Sequence, residues 1–312
     1  MGGQGLGLFD ADGGLCRHHG AVAARGPCGA AGGVSDDRIW RVLRRHVDTA
    51  RAKENFAEVR RVGVDETASR KGQRYLTLFH DLDRRRLLFA TPGRDRTTFT
   101  QFADDLTAHG GKASQVTDWC MDLSGAYQAG AKAAAPEAAI SFAPFHVVAL
   151  AHKALDQVRR AEVKYQPELK HSRWGTLKAP RRWNAAQIHT MHWLQRSTLK
   201  TARAWRLKEA LRRIYETAAD RPTAEPLLRK WVSWARRCRL TPFKKLGATI
   251  SDHLTGILRH FDTGLSNAQI QAAKARAKGY RTDANLIAIS YLLCAKLRHL
   301  PRHLWLHAPA HS

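Results

Sequence analysis

The sequence predicts a mixed α/β sheet with helices on its faces, continued by a long all-helical stretch. Two observations carry that expectation. Between Val62 and Phe142, short runs of strand formers alternate with helical segments in the order three strands, helix, strand, helix, strand. After His146 apolar residues recur at helical spacing through most of the remaining chain.

Each element follows from local chemistry. Residues 1–33 hold 11 of the 23 glycines with Ala-rich filler, too little apolar surface to offset conformational entropy, and are expected to be flexible. Ser35, Asp36 and Asp37 form an N-cap cluster before Ile39, Trp40, Val42 and Leu43, predicting a helix from about Asp37 to Lys53. Val62-Gly63-Val64 is a short apolar strand expected to end at Asp65. Arg74 to Phe79 and Arg86 to Ala90 pair as a hairpin across the turn at Asp81–Arg84. Thr97 caps a helix carrying Phe99, Phe102 and Leu106. Gln115 to Met121 reads as a strand ending at Asp122, Ser124 to Lys132 as a helix, and Ala138 to Phe142 as a short strand. Val147 to Lys164 is strongly amphipathic. Further helices are expected near 185–200, 202–218, 222–238, 246–260 and 283–298.

Lys and Arg total 52 against 27 Asp and Glu, a net charge of +25 and a pI near 10.6. That excess implies a polyanionic partner, and double-stranded DNA is the expected one; a basic surface without a specific partner, or anionic lipid, is the competing reading. Arg181, Arg182, Arg229, Lys230, Arg236, Arg237, Arg239, Lys244 and Lys245 are the candidates for DNA-backbone contact, which gives affinity without sequence information. Trp174, Trp183, Trp193, Trp205, Trp231, Trp234 and Trp305 are interleaved with these cations, and their helical spacing favours core positions. Cys16, Cys28, Cys120, Cys238 and Cys294 are odd in number and widely spaced, so neither a disulfide framework nor a zinc site is expected. No apolar run approaches membrane-spanning length and no signal pattern opens the chain, so no membrane is expected and a cytoplasmic, nucleoid-associated location follows. A homo-oligomer is left open.

Asp65 and Asp122 stand out by position. Acids at the ends of adjacent strands converge at one rim of an α/β sheet, where active sites gather. Two convergent carboxylates suit Mg²⁺ or Mn²⁺, and paired ions roughly 3.5–4 Å apart stabilise the attacking and leaving oxygens of phosphodiester displacement. The competing reading is that each Asp caps a turn, Asp122 serving the helix at Ser124. His146 either assists such a site or packs under the sheet rim.

Several ordered segments resemble one family. Val62-Gly63-Val64-Asp65-Glu66-Thr67-Ala68-Ser69-Arg70-Lys71-Gly72 and Met121-Asp122-Leu123-Ser124-Gly125-Ala126-Tyr127 are similar to the first and second aspartate segments of the ISL-three insertion-sequence transposases of the DDE class. Phe145-His146-Val147-Val148 and Ala154-Leu155-Asp156-Gln157-Val158-Arg159-Arg160-Ala161-Glu162 continue the likeness. So do Trp231-Val232-Ser233-Trp234-Ala235 and Ile270-Gln271-Ala272-Ala273-Lys274-Ala275-Arg276-Ala277. The resemblance spans roughly residues 34–300. It implies a ribonuclease-H-like mixed sheet, a large helical insertion between the second aspartate and a late glutamate, and C-terminal helices. It also implies metal-dependent cutting and rejoining of DNA ends, with Asp65 and Asp122 as catalytic and metal-holding positions. The boundaries expected are a flexible segment 1–33, a helical remnant of the DNA-binding region 34–60, the core 61–150, the insertion 151–265, and the C-terminal part of the core 266–312.

The departures matter equally. Ala143 stands where the family carries an aspartate three residues before the histidine. Ala268-Gln269 runs directly into Ile270, so the stretch bearing the family's catalytic glutamate is missing, and no Glu follows Glu225. The later acids are Asp252, Asp262 and Asp283. No cysteine cluster supplies the family's N-terminal zinc module. Three readings remain: an active transposase, an impaired one that still folds and binds DNA, or a non-enzymatic DNA-binding protein on the same scaffold. The missing glutamate favours the second over the first.

Overall fold

A computed structural model describes residues 35–68, 74–266, 280 and 282–301. The expected flexible segment 1–33, the residues just before Arg74, the stretch 267–279 and Trp305 lie outside the described residues. Five strands, β1 (Arg61–Ala68), β2 (Tyr75–Asp81), β3 (Arg86–Pro92), β4 (Asp118–Met121) and β5 (Ala139–Phe142), form one mixed sheet in the order β3-β2-β1-β4-β5. The α-helices are α1 (Asp36–Arg51), α2 (Thr97–Ala108), α3 (Gly125–Ala134), α4 (Pro144–Glu162), α5 (Arg173–Leu177), α6 (Ala185–Arg196), α7 (Lys200–Thr217), α8 (Arg221–Arg237), α9 (Thr241–Asp252), α10 (Leu254–Thr263) and α11 (Asp283–Cys294). The mixed α/β class and the order of elements match the expectation. The chain divides into two compact units, one holding residues up to Trp119, 125–138 and the segment after Ser266, the other 120–124 and 139–266.

In the first unit, β1, β2 and β3 form an antiparallel meander with Asp65 opposite Leu78 and Ala68 opposite Tyr75. β1 therefore continues past Asp65, which lies inside the strand and does not end it. An acid after a short apolar run suggests a stop, but the cross-strand ladder with β2 carries Glu66, Thr67 and Ala68 onward. Side chains alternate across a strand, and the two faces differ. Phe79 stacks on Phe102 at 4.4 Å between ring centroids and meets Phe99 edge-on at 5.2 Å, with Trp119 and Tyr127 completing an aromatic core. A Cβ at position 130 would meet the Phe99 ring at 2.5 Å, which explains the glycine there. Leu76, Leu78, Leu87 and Ala90 pack instead with Trp40, Leu43 and Val47 of α1 and Leu286 and Ile289 of α11.

Ser35 accepts a hydrogen bond from the Arg38 amide and caps α1 as the sequence suggested. At its other end Arg51 donates to the Leu88 carbonyl at 2.9 Å, pairs with Asp105 at 2.5 Å, and lies over the Tyr291 ring at 4.8 Å. The Tyr291 hydroxyl accepts from the Ala90 amide, and burial pushes its phenol well above the usual range. One cation thus ties α1, α2, β3 and α11 together.

In the second unit, α4 packs against α7 and α9, and α8 packs against the same two helices. α8 is capped by Asp220, whose carboxylate accepts from the Thr223 amide, and buries the stripe Ala224, Leu228, Trp231, Val232 and Ala235. Gly256 of α10 lies against β5, where a Cβ would meet the Phe142 ring at 2.6 Å.

Three further sequence expectations are corrected. β4 starts only at Asp118, because Ala113–Gln115 turns as a 3-10 helix. The single helix expected near 246–260 is two, α9 and α10, because His253 leaves helical geometry at φ −109° and ψ 16°. The tryptophans are not mainly core: Trp231 is buried and donates Nε1–H to the Leu207 carbonyl, but Trp174 is 58% exposed, and Trp193 and Trp234 are also exposed. Their spacing was helical, but they fall at the edges of the apolar stripes. Among the described residues no helix is long and apolar enough to cross a membrane.

Candidate functional site

The site lies within the second unit, around Asp122 just after β4. The Ala143 amide donates to the Met121 carbonyl, so β5 leaves beside the point where β4 stops. Ala143 then occupies the N-cap of α4 with extended backbone and no side-chain cap, and Pro144 opens the helix. From there His146, Lys153 and Gln157 project along one face of α4, since residues seven and eleven apart return to the same side of a 3.6-residue helix.

That face, the segment Asp122–Ser124 and the Pro242–Thr249 portion of α9 enclose a cleft of about 530 Å³. Its polar lining includes Asp122, His146, Lys153, Gln157, Lys245 and Thr249, with Leu150 and Leu246 among the apolar walls. The volume lies within the range of small-ligand sites. One carboxylate therefore shares a cleft with two lysines, an arrangement suited to an anion or to a cation-bridged anion.

Asp122 follows β4 directly, as expected. Its Oδ1 accepts from the Ser124 amide at 2.9 Å, so the turn-capping reading holds for one oxygen; the other has no hydrogen-bond partner among the described residues. Asp65 belongs to the first unit, is 2% exposed, and accepts from the Glu66 amide through Oδ1 at 2.8 Å. His146 sits half-buried in the first turn of α4 and lines the cleft.

Arg181, Arg182, Arg229, Lys230, Arg236, Arg237, Arg239, Lys244 and Lys245 are all exposed and all belong to the second unit. Lys245 is the one of them that lines the cleft. Arg229 is committed to Glu225 at 2.6 Å, which reduces its availability to an outside anion. Of the late acids, Asp252 is exposed at the end of α9, Asp262 pairs with Arg221 at 3.1 Å, and Asp283 starts α11 in the first unit. Among the described residues no group of three or more His, Cys, Asp and Glu side chains is placed to hold a metal.

A second polar feature lies within the same unit. Lys208 is fully buried on α7 and pairs with Glu209, which also binds Arg212; Arg212 in turn reaches Glu216. Burial lowers the Lys208 ammonium below its usual range, against the pull of Glu209. Burial pushes Glu209 upward, but hydrogen bonds from Arg212 and Lys208 outweigh it and hold the carboxyl below its ordinary value. Burial, then repulsion from Lys208, lowers His152 on α4.

Sequence reasoning found Asp122, His146 and Lys245 but missed Lys153 and Gln157. The signal was available: both fall on the face of α4 that starts at His146.

Comparison with known proteins decides the family. Residues 62–290 match the model of the ISL3 type of DDE transposase, described as a transposase. The chain belongs to the ISL-three transposase family. It is 30% identical over 300 residues to the transposase for insertion sequence element IS1557 of Mycobacterium tuberculosis (strains CDC 1551 / Oshkosh and ATCC 25618 / H37Rv), across 83% of this chain. It is 27% identical over 244 residues to the transposase for IS1001 of Bordetella parapertussis, across 73% of this chain. The chain spans 64% and 59% of the length of these relatives. The ISL-three match runs from β1 to α11, so it includes Asp65, Asp122 and the whole cleft.

Proposed function

We propose that this chain is the DNA-binding core of a DDE transposase whose own phosphodiester chemistry is impaired. The observation that carries the reading is the cleft in which Asp122 is joined by His146, Lys153 and Lys245. A carboxylate can ligate a divalent ion, and cations elsewhere in the same cleft can hold the DNA backbone that brings a phosphate to it. The proposed architecture is a ribonuclease-H-like core at 61–150, a helical insertion at 151–265 and a returning helical part at 266–312. Residues 34–60 are proposed as the remnant of a DNA-binding region. Its partner is double-stranded DNA, gripped mainly through the exposed cations of the insertion, and its place of action is the nucleoid in the cytoplasm.

Asp65 and Asp122 are the proposed metal-holding and catalytic positions, and His146 supports them. The family match over residues 62–290, which covers both positions, supports that assignment. The donor chemistry fits one Mg²⁺ or Mn²⁺, since such ions take one or two carboxylates and complete their shell with water and phosphate oxygens. It does not fit a paired-ion site. Two aspartates and one phosphate supply three negative charges against four positive, and among the described residues no group of three or more His, Cys, Asp and Glu side chains is placed to hold a metal. When bound, the ion would polarise phosphate oxygens; the protein's own contribution is to hold the DNA.

Calorimetric titration of Mn²⁺ into the full chain tests the assignment. One saturable site is expected, lost in Asp122→Asn and in Asp65→Asn. Binding that survives either change would assign the ion to other groups.

A further inference from the structure

We infer that Lys153 and Lys245 form a clamp for a single DNA backbone phosphate, that of a nucleotide flanking the one held at Asp122. The inference rests on the DNA reading above and adds a subsite to it. Both lysines line the same cleft, one from α4 and the other from α9, and the two helices pack against each other. Both are exposed, and neither takes part in an ion pair among the described residues, in contrast to Arg229 and Arg221, which are occupied by carboxylates. Two like charges across one cleft repel unless an anion lies between them.

The cleft chemistry favours a phosphodiester over other anions. Lys153 and Lys245 supply charge, while the Gln157 amide adds a neutral donor. The Thr249 hydroxyl donates to the Lys245 carbonyl at 3.1 Å, so it meets a ligand as an acceptor. Apolar walls from Leu150 and Leu246 suit a sugar better than a free inorganic ion. Lys153 stands two helical turns, about 10 Å, along α4 from His146. The clamp thus lies further along the cleft than His146, and Asp122 is left to the neighbouring phosphate. Ammonium groups act as point charges without a fixed fork, so the clamp gives position and affinity and reads no base.

The test measures binding of the full chain to a short fluorescent duplex of arbitrary sequence across a salt series. Lys153→Gln and Lys245→Gln are each expected to weaken binding about fivefold near 0.1 M salt, and the double variant little more than either alone, because one phosphate is shared. The slope of log affinity against log salt should fall by about 0.9 in the double variant, one phosphate's worth. Combining Lys153→Gln with Lys230→Gln on α8 should instead multiply the two single effects. Independent effects of Lys153 and Lys245, or no effect of either, would overturn the clamp while leaving the DNA reading intact. A native chain that does not bind the duplex in a salt-dependent way would overturn both.

Discussion

Raising salt from about 50 to 200 mM is expected to weaken binding of this chain to duplex DNA by a factor of about 10³ or more. Cations that neutralise phosphates release condensed counterions, and each released ion steepens the salt dependence. The second unit exposes Arg181, Arg182, Lys230, Arg236, Arg237, Arg239, Lys244 and Lys245, with Arg229 largely satisfied by Glu225. If six or more of them reach phosphates, log affinity should fall against log salt with a slope of about −5 or steeper. Sequence preference should be weak, because backbone contacts carry no base information. Fluorescence anisotropy over a salt series measures the slope directly. A slope near zero would mean that the basic face of the insertion does not meet DNA.

Glu209→Ala is expected to destabilise the second unit by about 3–5 kcal/mol, the cost of leaving a buried charge without its partner. Lys208 is fully buried and its ammonium is paired with Glu209. Removing the carboxylate leaves that ammonium in an apolar interior and leaves Arg212 with Glu216 alone. Lys208→Met should behave differently, close to neutral or mildly stabilising, because it removes the buried charge and keeps the volume. The deficit of Glu209→Ala should shrink as pH rises. Burial lowers the folded Lys208 pKa below its ordinary 10.5. Glu209 pulls that value back up, so the variant's Lys208 pKa lies lower still. Between the variant's folded value and the native one, only the variant binds more protons unfolded than folded. It therefore gains stability with pH while the native chain does not, and the deficit shrinks in that window. Urea unfolding at two pH values measures both. A small loss for Glu209→Ala, or an equal loss for Lys208→Met, would show that the pair is not energetically buried.

Much of the fold was legible because its signals are local. Ser35 capping α1, the β2–β3 hairpin and the amphipathic α4 each follow from a few neighbouring residues. What escaped depends on partners distant in sequence. β1 passes Asp65 because β2 pairs with it, which Val62-Gly63-Val64-Asp65 alone does not reveal. The exposed Trp174 and Trp234 have the same helical spacing as buried residues, and only the packing around them separates the two cases. The cleft was half legible: Asp122 and His146 stood out by motif, and Lys153 and Gln157 share the α4 face of His146, but only the packing of α9 opposite that face shows that it lines a cleft. Ala143 was conspicuous in the sequence as a missing acid, and it now stands at an N-cap that no side chain fills.

The measurement that bears most directly on an impaired, DNA-holding transposase core is cleavage of a duplex carrying the related element's ends, in Mg²⁺, at a salt concentration where binding is complete. The expected result is full binding and no strand cleavage, indistinguishable from Asp65→Asn and from Asp122→Asn, with pre-cut ends no better as substrates. Robust cleavage by the native chain, abolished by Asp65→Asn, would contradict it and would mean that another group completes the site.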